Sequence, residues 1–297
     1  MTDDKAQTTL TAPSRRNLLQ TAGMGALALG TAAATGIAAT VPARAAGVTD
    51  ADILNFALNL EYLEAEFYLR ATTGQGLMPN EITGECPVGP TTGGSMVNFT
   101  DHRLMLAAQD IAKDEHTHVT FLRAALGSAA VAKPQIDFAT SFTTLARAAG
   151  IVGPTGVFNP FADQNSFLIG AYVFEDVGVT AYHGAAPLIV NKAYLSAAAG
   201  ILAVEAYHAG EIRSLIQRSP NAALAGYAAK VSALRAALSG ANDDMGPVMD
   251  GEFVIAPTDS NSIAFARTTT QVLNIVYGGG AASNHLFFPF QMNGAIR

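Results

Sequence analysis

Two short motifs carry most of the chemistry that this chain can offer. Glu115-x-x-His118 and Glu205-x-x-His208 each set a carboxylate and an imidazole one turn apart on a single helical face, and each runs on to an arginine, Arg123 and Arg213. Around the first, Leu104, Ala108, Ile111, Glu115, His118, Leu122 and Ala125 recur in alternating steps of four and three. Around the second, Ala198, Leu202, Glu205, His208, Ile212 and Leu215 keep the helical period. Two further stripes carry one glutamate each: Leu54, Leu58, Glu61, Ala65, Tyr68, and Leu168, Ala171, Glu175, Gly178, Tyr182. In both, a tyrosine follows the glutamate two turns later. A repeat of the form Glu, then Glu-x-x-His, therefore occurs twice.

Four inward carboxylates demand compensation. Removing one ionised group from water costs several kcal/mol even after relaxation, and like charges add repulsion. Two divalent cations balance the charges of Glu61, Glu115, Glu175 and Glu205, and His118 and His208 complete the set as neutral nitrogen ligands. The pattern thus predicts a dinuclear metal site on these six residues. The competing reading neutralises the glutamates with Arg70, Arg123 or Arg213 and leaves the histidines as core or surface groups. With the single Cys86 there is neither a disulfide within the chain nor a thiolate site, so any metal must be held by oxygen and imidazole.

Four long helical segments must position these groups, at about 50–72, 101–126, 165–190 and 192–218. Asp50 or Asp52 is the expected N-cap of the first, and the third is expected to open after Asn165-Ser166. The Gly- and Pro-rich stretch from Thr73 to Thr100 cannot continue a helix. A connection of roughly 38 residues separates the second and third segments and carries a short amphipathic piece near 138–149. At about 3.3 Å per residue it can run the height of a four-helix bundle. The brief break at Asn191 permits only antiparallel neighbours. Downstream, 221–238 and 262–277 have helical periodicity and 243–259 reads as loop. The apolar run Leu286-Phe287-Phe288-Pro289-Phe290 must be covered, either by its own bundle or by a neighbouring subunit.

Composition narrows the partners. The chain has 297 residues, a net charge of −7, 49% hydrophobic residues and only 14% charged ones, which disfavours both disorder and a nucleic-acid partner. Residues 1–45 read as targeting: Ser14-Arg15-Arg16-Asn17-Leu18-Leu19, a weakly apolar Ala- and Gly-rich run, then Ala43-Arg44-Ala45. This resembles a twin-arginine export signal, which implies a periplasmic or extracellular protein that folds, often with its cofactor, before export. Its removal takes away four basic and two acidic residues and leaves residues 46–297, one domain with a C-terminal extension, at −9. No later stretch reaches the roughly 18 apolar residues of a membrane span.

The run LNFALNLEYLEAEFYLRA, the two Glu-x-x-His helices, and SIAFARTTTQVLNIVYGGG followed by FFPFQMNG resemble the ferritin-like domain family that includes plant desiccation-related proteins and exported bacterial relatives. The resemblance covers about residues 50–295. It implies an all-α ferritin-like four-helix bundle with a long crossover between the second and third helices and additional C-terminal helices. It also implies a carboxylate and histidine metal site on Glu61, Glu115, His118, Glu175, Glu205 and His208. Storage in a closed cage fits poorly, because the first connection and the C-terminal extension would obstruct it.

Two functions follow. One is a centre of two divalent iron or manganese ions that reacts with dioxygen or peroxide, as a peroxidase, a catalase-like enzyme or a ferroxidase, in stress protection. The other is a non-catalytic envelope or desiccation-related protein with a structural or vestigial metal site. A homo-oligomer is compatible with either. Glu64 is placed for an additional or redox-switching ligand, or else for a group behind the ligands or in solvent, and Asp114 and Glu211 for contacts behind the ligands. Tyr68 and Tyr182 are placed to hydrogen-bond ligands or to fill the core. His102, His116, His183 and His285 fall off the stripes and are assigned to structure or solvent.

Overall fold

The computed structural model describes residues 47–241, 245–279 and 285–297, so the predicted export signal lies outside the described residues. Among the described residues there are seven α-helices and two two-stranded ribbons. The four predicted segments are α1 (Asp50–Thr73), α2 (His102–Leu126), α4 (Gln164–Ala185) and α5 (Lys192–Arg218), and the crossover carries α3 (Ser141–Ala148). Each long helix starts on a side chain that satisfies its free amides. Asp101, Asp163 and Asn191 cap α2, α4 and α5. For α1 the cap is Thr49, and Asp52 completes a reciprocal capping box, so neither predicted aspartate is itself the cap. Helix α4 opens at Gln164 and stops at Ala185. A 3-10 turn, Ala186–Leu188, replaces the last predicted turn, because Pro187 cannot donate to a continuing helix.

Helix α1 packs against α2, and α4 against α5; contacts of α1 with α4 and of α2 with α5 close the bundle. The turn between Ala185 and Lys192 leaves only an antiparallel return. Helices α1 and α4 are buried almost all round, whereas α2 and α5 bury one stripe. What covers α1 and α4 is the rest of the chain. Phe67 of α1 stacks on Phe167 and meets Phe138, Phe142 and Phe161 from the crossover and Phe174 from α4. Strand β1 (Thr91–Thr92) pairs in parallel with β2 (Ile136–Asp137), stitching the first connection to the crossover.

The C-terminal part closes the other side. Helix α6 (Ala223–Ser239) docks on α4, with Tyr172 Oη 2.7 Å from Ser232 Oγ. The stretch expected to be loop contains a hairpin, β3 (Val248–Met249) and β4 (Glu252–Phe253), turned by Asp250 and Gly251, both at positive φ. This Asp-Gly pair is a strong signal for such a turn. The predicted helix at 262–277 is confined to α7 (Thr269–Val276), because Arg267 lies along α4 with its amide donating to Thr180 O and Thr268 caps the helix in a box with Gln271. The apolar tail is covered in cis only in part: Phe287 and Phe288 are fully buried, with Phe287 5.0 Å from Phe142 and from Phe174, whereas Phe290 stays exposed. Asn293 then clasps α1, accepting from Asn59 Nδ2 at 2.8 Å and donating its own amide to Asn59 Oδ1 at 3.1 Å. No helix among the described residues is long and apolar enough to cross a membrane.

Candidate metal centre

All six predicted side chains meet inside the bundle. Helix α1 supplies Glu61, α4 supplies Glu175, and the Glu-x-x-His turns of α2 and α5 supply Glu115 with His118 and Glu205 with His208; all are buried. They form two overlapping groups, Glu61, Glu115, His118, Glu205 and Glu115, Glu175, Glu205, His208, each with one ligand atom per residue within 4.8 Å of the others. Glu115 turns Oε2 toward His118 Nδ1 at 3.4 Å and Oε1 toward His208 Nδ1 at 2.9 Å. His118 Nδ1 also lies 3.2 Å from Glu61 Oε2 and 3.6 Å from Glu205 Oε1, and His208 Nδ1 lies 3.7 Å from Glu175 Oε2. The two glutamates common to both groups are therefore those on α2 and α5.

The shell around this cluster is crossed. Tyr68 of α1 donates to Glu175 of α4, and Tyr182 of α4 donates to Glu61 of α1. His208 Nε2 lies 3.3 Å from Asp114 Oδ2, which fixes the ring with Nδ1 facing the cluster. Gly178 makes room for Glu205: a Cβ there would overlap Glu205 Oε2. Spacing left Tyr68 and Tyr182 open between ligand contact and core filling, and the structure shows the contact. Of Asp114 and Glu211, Asp114 meets His208 while Glu211 is exposed, and the need for a glycine at 178 depends on an inter-helix distance that no single-helix pattern contains.

Arginines do not neutralise the cluster. Among the described residues Arg70 pairs with Glu66 at 2.7 Å, Arg213 and Arg235 pair with Asp176 at 2.9 and 2.6 Å, and Arg123 donates to Tyr62 Oη and Thr83 O. The electrostatics follow. Burial lifts Glu61 to about 7 against the pull of His118, and lifts Glu175 to about 8 against His208. Burial, reinforced by the neighbouring carboxylates, raises Glu205 and Glu64 well above the ordinary range. Burial works the same way on Glu115, but its contacts with both histidines win and hold it at about 2. For the imidazoles burial favours the neutral form, yet the carboxylates push His118 up to about 11 and His208 to about 9. Glu64, which spacing left between ligand and solvated group, is buried, and no hydrogen bond or ion pair to it forms among the described residues.

Several buried polar atoms here have no aligned hydrogen bond: Glu115 Oε1, Glu175 Oε2, both oxygens of Glu205 and His208 Nδ1. Buried polar groups are rarely left so, and a cluster of them converging from three helices, α2, α4 and α5, suits a cation. The donor set, carboxylate oxygen with imidazole, fits iron or manganese.

Residues 49–218 match the ferritin-like domain family. The chain belongs to that family. The match spans all four bundle helices and every residue of the cluster. Two curated plant relatives extend beyond it. This ferritin-like chain is 30% identical over 246 residues to the desiccation-related protein PCC13-62 of Craterostigma plantagineum, covering 76% of each chain. It is 28% identical over 273 residues to the ferritin-like catalase Nec2 of Nesocodon mauritianus, covering 84% of this chain and 86% of the relative. No solved structure matches.

The remaining histidines fall where the stripes put them, away from the cluster. His116 Nε2 lies 2.6 Å from Glu81 on the outside of α2, and His183 Nδ1 lies 3.2 Å from Phe265 O. His285 packs its ring on Tyr277, and His102 is exposed at the start of α2.

Proposed function

We propose that Glu61, Glu115, His118, Glu175, Glu205 and His208 hold two divalent iron or manganese ions, and that the centre disproportionates hydrogen peroxide in an exported stress-protection protein. The observation that carries the reading is the overlap of the two four-residue groups through Glu115 and Glu205, with oxygens and a nitrogen left unsatisfied. The similarity to a relative named as a ferritin-like catalase supports peroxide as the substrate over dioxygen or ferrous ion. Export rests on the twin-arginine pattern and Ala43-Arg44-Ala45.

In disproportionation one peroxide is oxidised to dioxygen while a second is reduced to water, so electrons and protons balance without a further reductant. The bound metals would supply the two-electron redox couple. The chain supplies the rest. Glu115 and Glu205, common to both groups, would hold both ions, and the crossed Tyr68 and Tyr182 hydrogen bonds orient Glu175 and Glu61. Glu64 is buried beside the cluster, where desolvation and the carboxylates of Glu115, Glu175 and Glu61 raise its pKa in the metal-free chain. The apolar walls exclude bulk water, which strengthens each of these interactions.

Metal analysis of anaerobically purified protein, followed by peroxide challenge with an oxygen electrode, tests the proposal. About two ions per chain with oxygen evolution is the expected result. Metal without turnover, or no metal, favours the second reading, a non-catalytic desiccation-type protein, to which the similarity with PCC13-62 gives support.

A further inference from the structure

A cavity of about 310 Å³ opens between α2 and α5, walled by Ala107, Asp110, Asp114, Val204, His208 and Glu211 among others. Its outer rim is wet: Asp110, Tyr207 and Glu211 are exposed. Its inner wall is His208, less than a tenth exposed, whose Nδ1 has no aligned hydrogen bond and belongs to one of the two ligand groups. One imidazole thus lies between an open cleft and the cluster. Building on the dinuclear reading, we propose that this cleft is the port through which hydrated divalent cations reach the centre, captured by Asp110 and Glu211 and passed along Asp114 to the His208 side.

Charge, size and looseness favour a cation in transit. Asp110, Asp114 and Glu211 set three carboxylates around the cleft, and Asp114 faces His208 Nε2 at 3.3 Å. Lys113, whose Nζ lies 3.9 Å from Asp110 in an exposed and therefore weak pair, opposes the rim, which leaves Asp110 and Glu211 as its attractive groups. At about 30 Å³ per water, the volume accommodates an ion with its first hydration shell. The rim carboxylates belong to neither tight ligand group found among the described residues, so an ion there keeps its water and moves on. Three other cavities among the described residues are less suitable. The cavities beside Glu64 and beside Tyr182 measure about 10 Å³ each and have apolar walls. The 60 Å³ cavity behind Asp176 is lined by Arg213, Arg235 and Arg267, whose charges repel a cation.

The test is the rate of metal uptake rather than turnover. Metal-free, full-length protein is mixed with Co(II) at low ionic strength, and the visible absorption of the bound ion is followed by stopped flow. The Asp110→Asn/Glu211→Gln double variant changes exposed groups only. It should load on the order of tenfold more slowly, with the same final amplitude and a flatter dependence on salt, because electrostatic focusing by the rim is removed. Ala107→Phe, which fills the cleft without altering charge, should slow loading at every salt concentration. Uptake by both variants at the wild-type rate and salt dependence overturns the port while leaving the dinuclear reading intact. Failure of the wild-type protein to bind Co(II) overturns both.

Discussion

Glu115 offers one carboxylate oxygen to each histidine, so its loss removes a ligand from both groups at once. Glu115→Ala should therefore abolish most metal binding, rather than halve it, and erase the rise in Tm that metal confers. His116→Ala, one residue along but paired with Glu81 on the outer face, should leave metal content unchanged. Metal analysis and thermal scans with and without metal check the pair. A pH dependence follows from the same residues. Glu61 at about 7, Glu175 at about 8, and the histidines at about 9 and 11 all favour the protonated form without metal, so loading must displace protons. Uptake at pH 7 should release protons to a weak buffer, and affinity should fall as the pH is lowered. The neighbouring Asp176 shows the opposite solution to burial. It is also pushed up by desolvation, but Arg235 and Arg213 hold it below the ordinary range. Its contribution to stability is present above the ordinary carboxylate value and is lost as pH falls through its lowered one. Asp176→Asn, which strands two buried guanidinium groups, should cost about 3–5 kcal/mol in chemical denaturation at neutral pH. Two adjacent acids, one destined for metal and one for arginine, look alike in sequence; stripe position separates them, because Glu175 shares the phase of Leu168 and Ala171 and Asp176 does not.

At the scale of the helices, what positions the cluster is a period of 3.6 residues kept by four elements at once, and that much was readable before any contact was known. The ends were less so. Thr49 rather than Asp50 or Asp52 caps α1, since a threonine with an acid three residues later satisfies two amides where a lone aspartate satisfies one. Helix α7 begins only at Thr269, because Arg267 just before it is bound to Thr180 of α4 through both its amide and its side chain, a tertiary contact that periodicity cannot register. Gly178 belongs to this scale too. In the middle of α4 a glycine costs about 1 kcal/mol relative to alanine, and the close approach of Glu205 explains its place. Gly178→Ala should leave the metal-free fold as stable as wild type or slightly more so, while displacing Glu205 and lowering metal occupancy. Far-UV circular dichroism together with metal titration separates the two effects.

For the whole molecule, the bundle alone is an incomplete core. Helices α1 and α4 are buried nearly all round and depend on the crossover and the C-terminal residues to cover them, a dependence the single stripes read from the sequence did not register. Whether the tail covered its own chain or another turned on the path of the last residues, which no periodicity encodes. Phe287→Ala, which empties a site between α3 and α4, should destabilise the fold by about 3–5 kcal/mol without changing the metal-binding residues. Denaturant titration of the metal-free protein, with metal content of the folded fraction measured in parallel, checks both halves. The clasp between Asn59 and Asn293 has a consequence in time rather than in space. Its partners are separated by 234 positions, so a chain still on the ribosome holds α1 without its lid. Closure over α1 therefore waits on a contact of very high sequence separation, and a chain that is synthesised or clipped short of Asn293 leaves the core side chains of α1 open to chaperones.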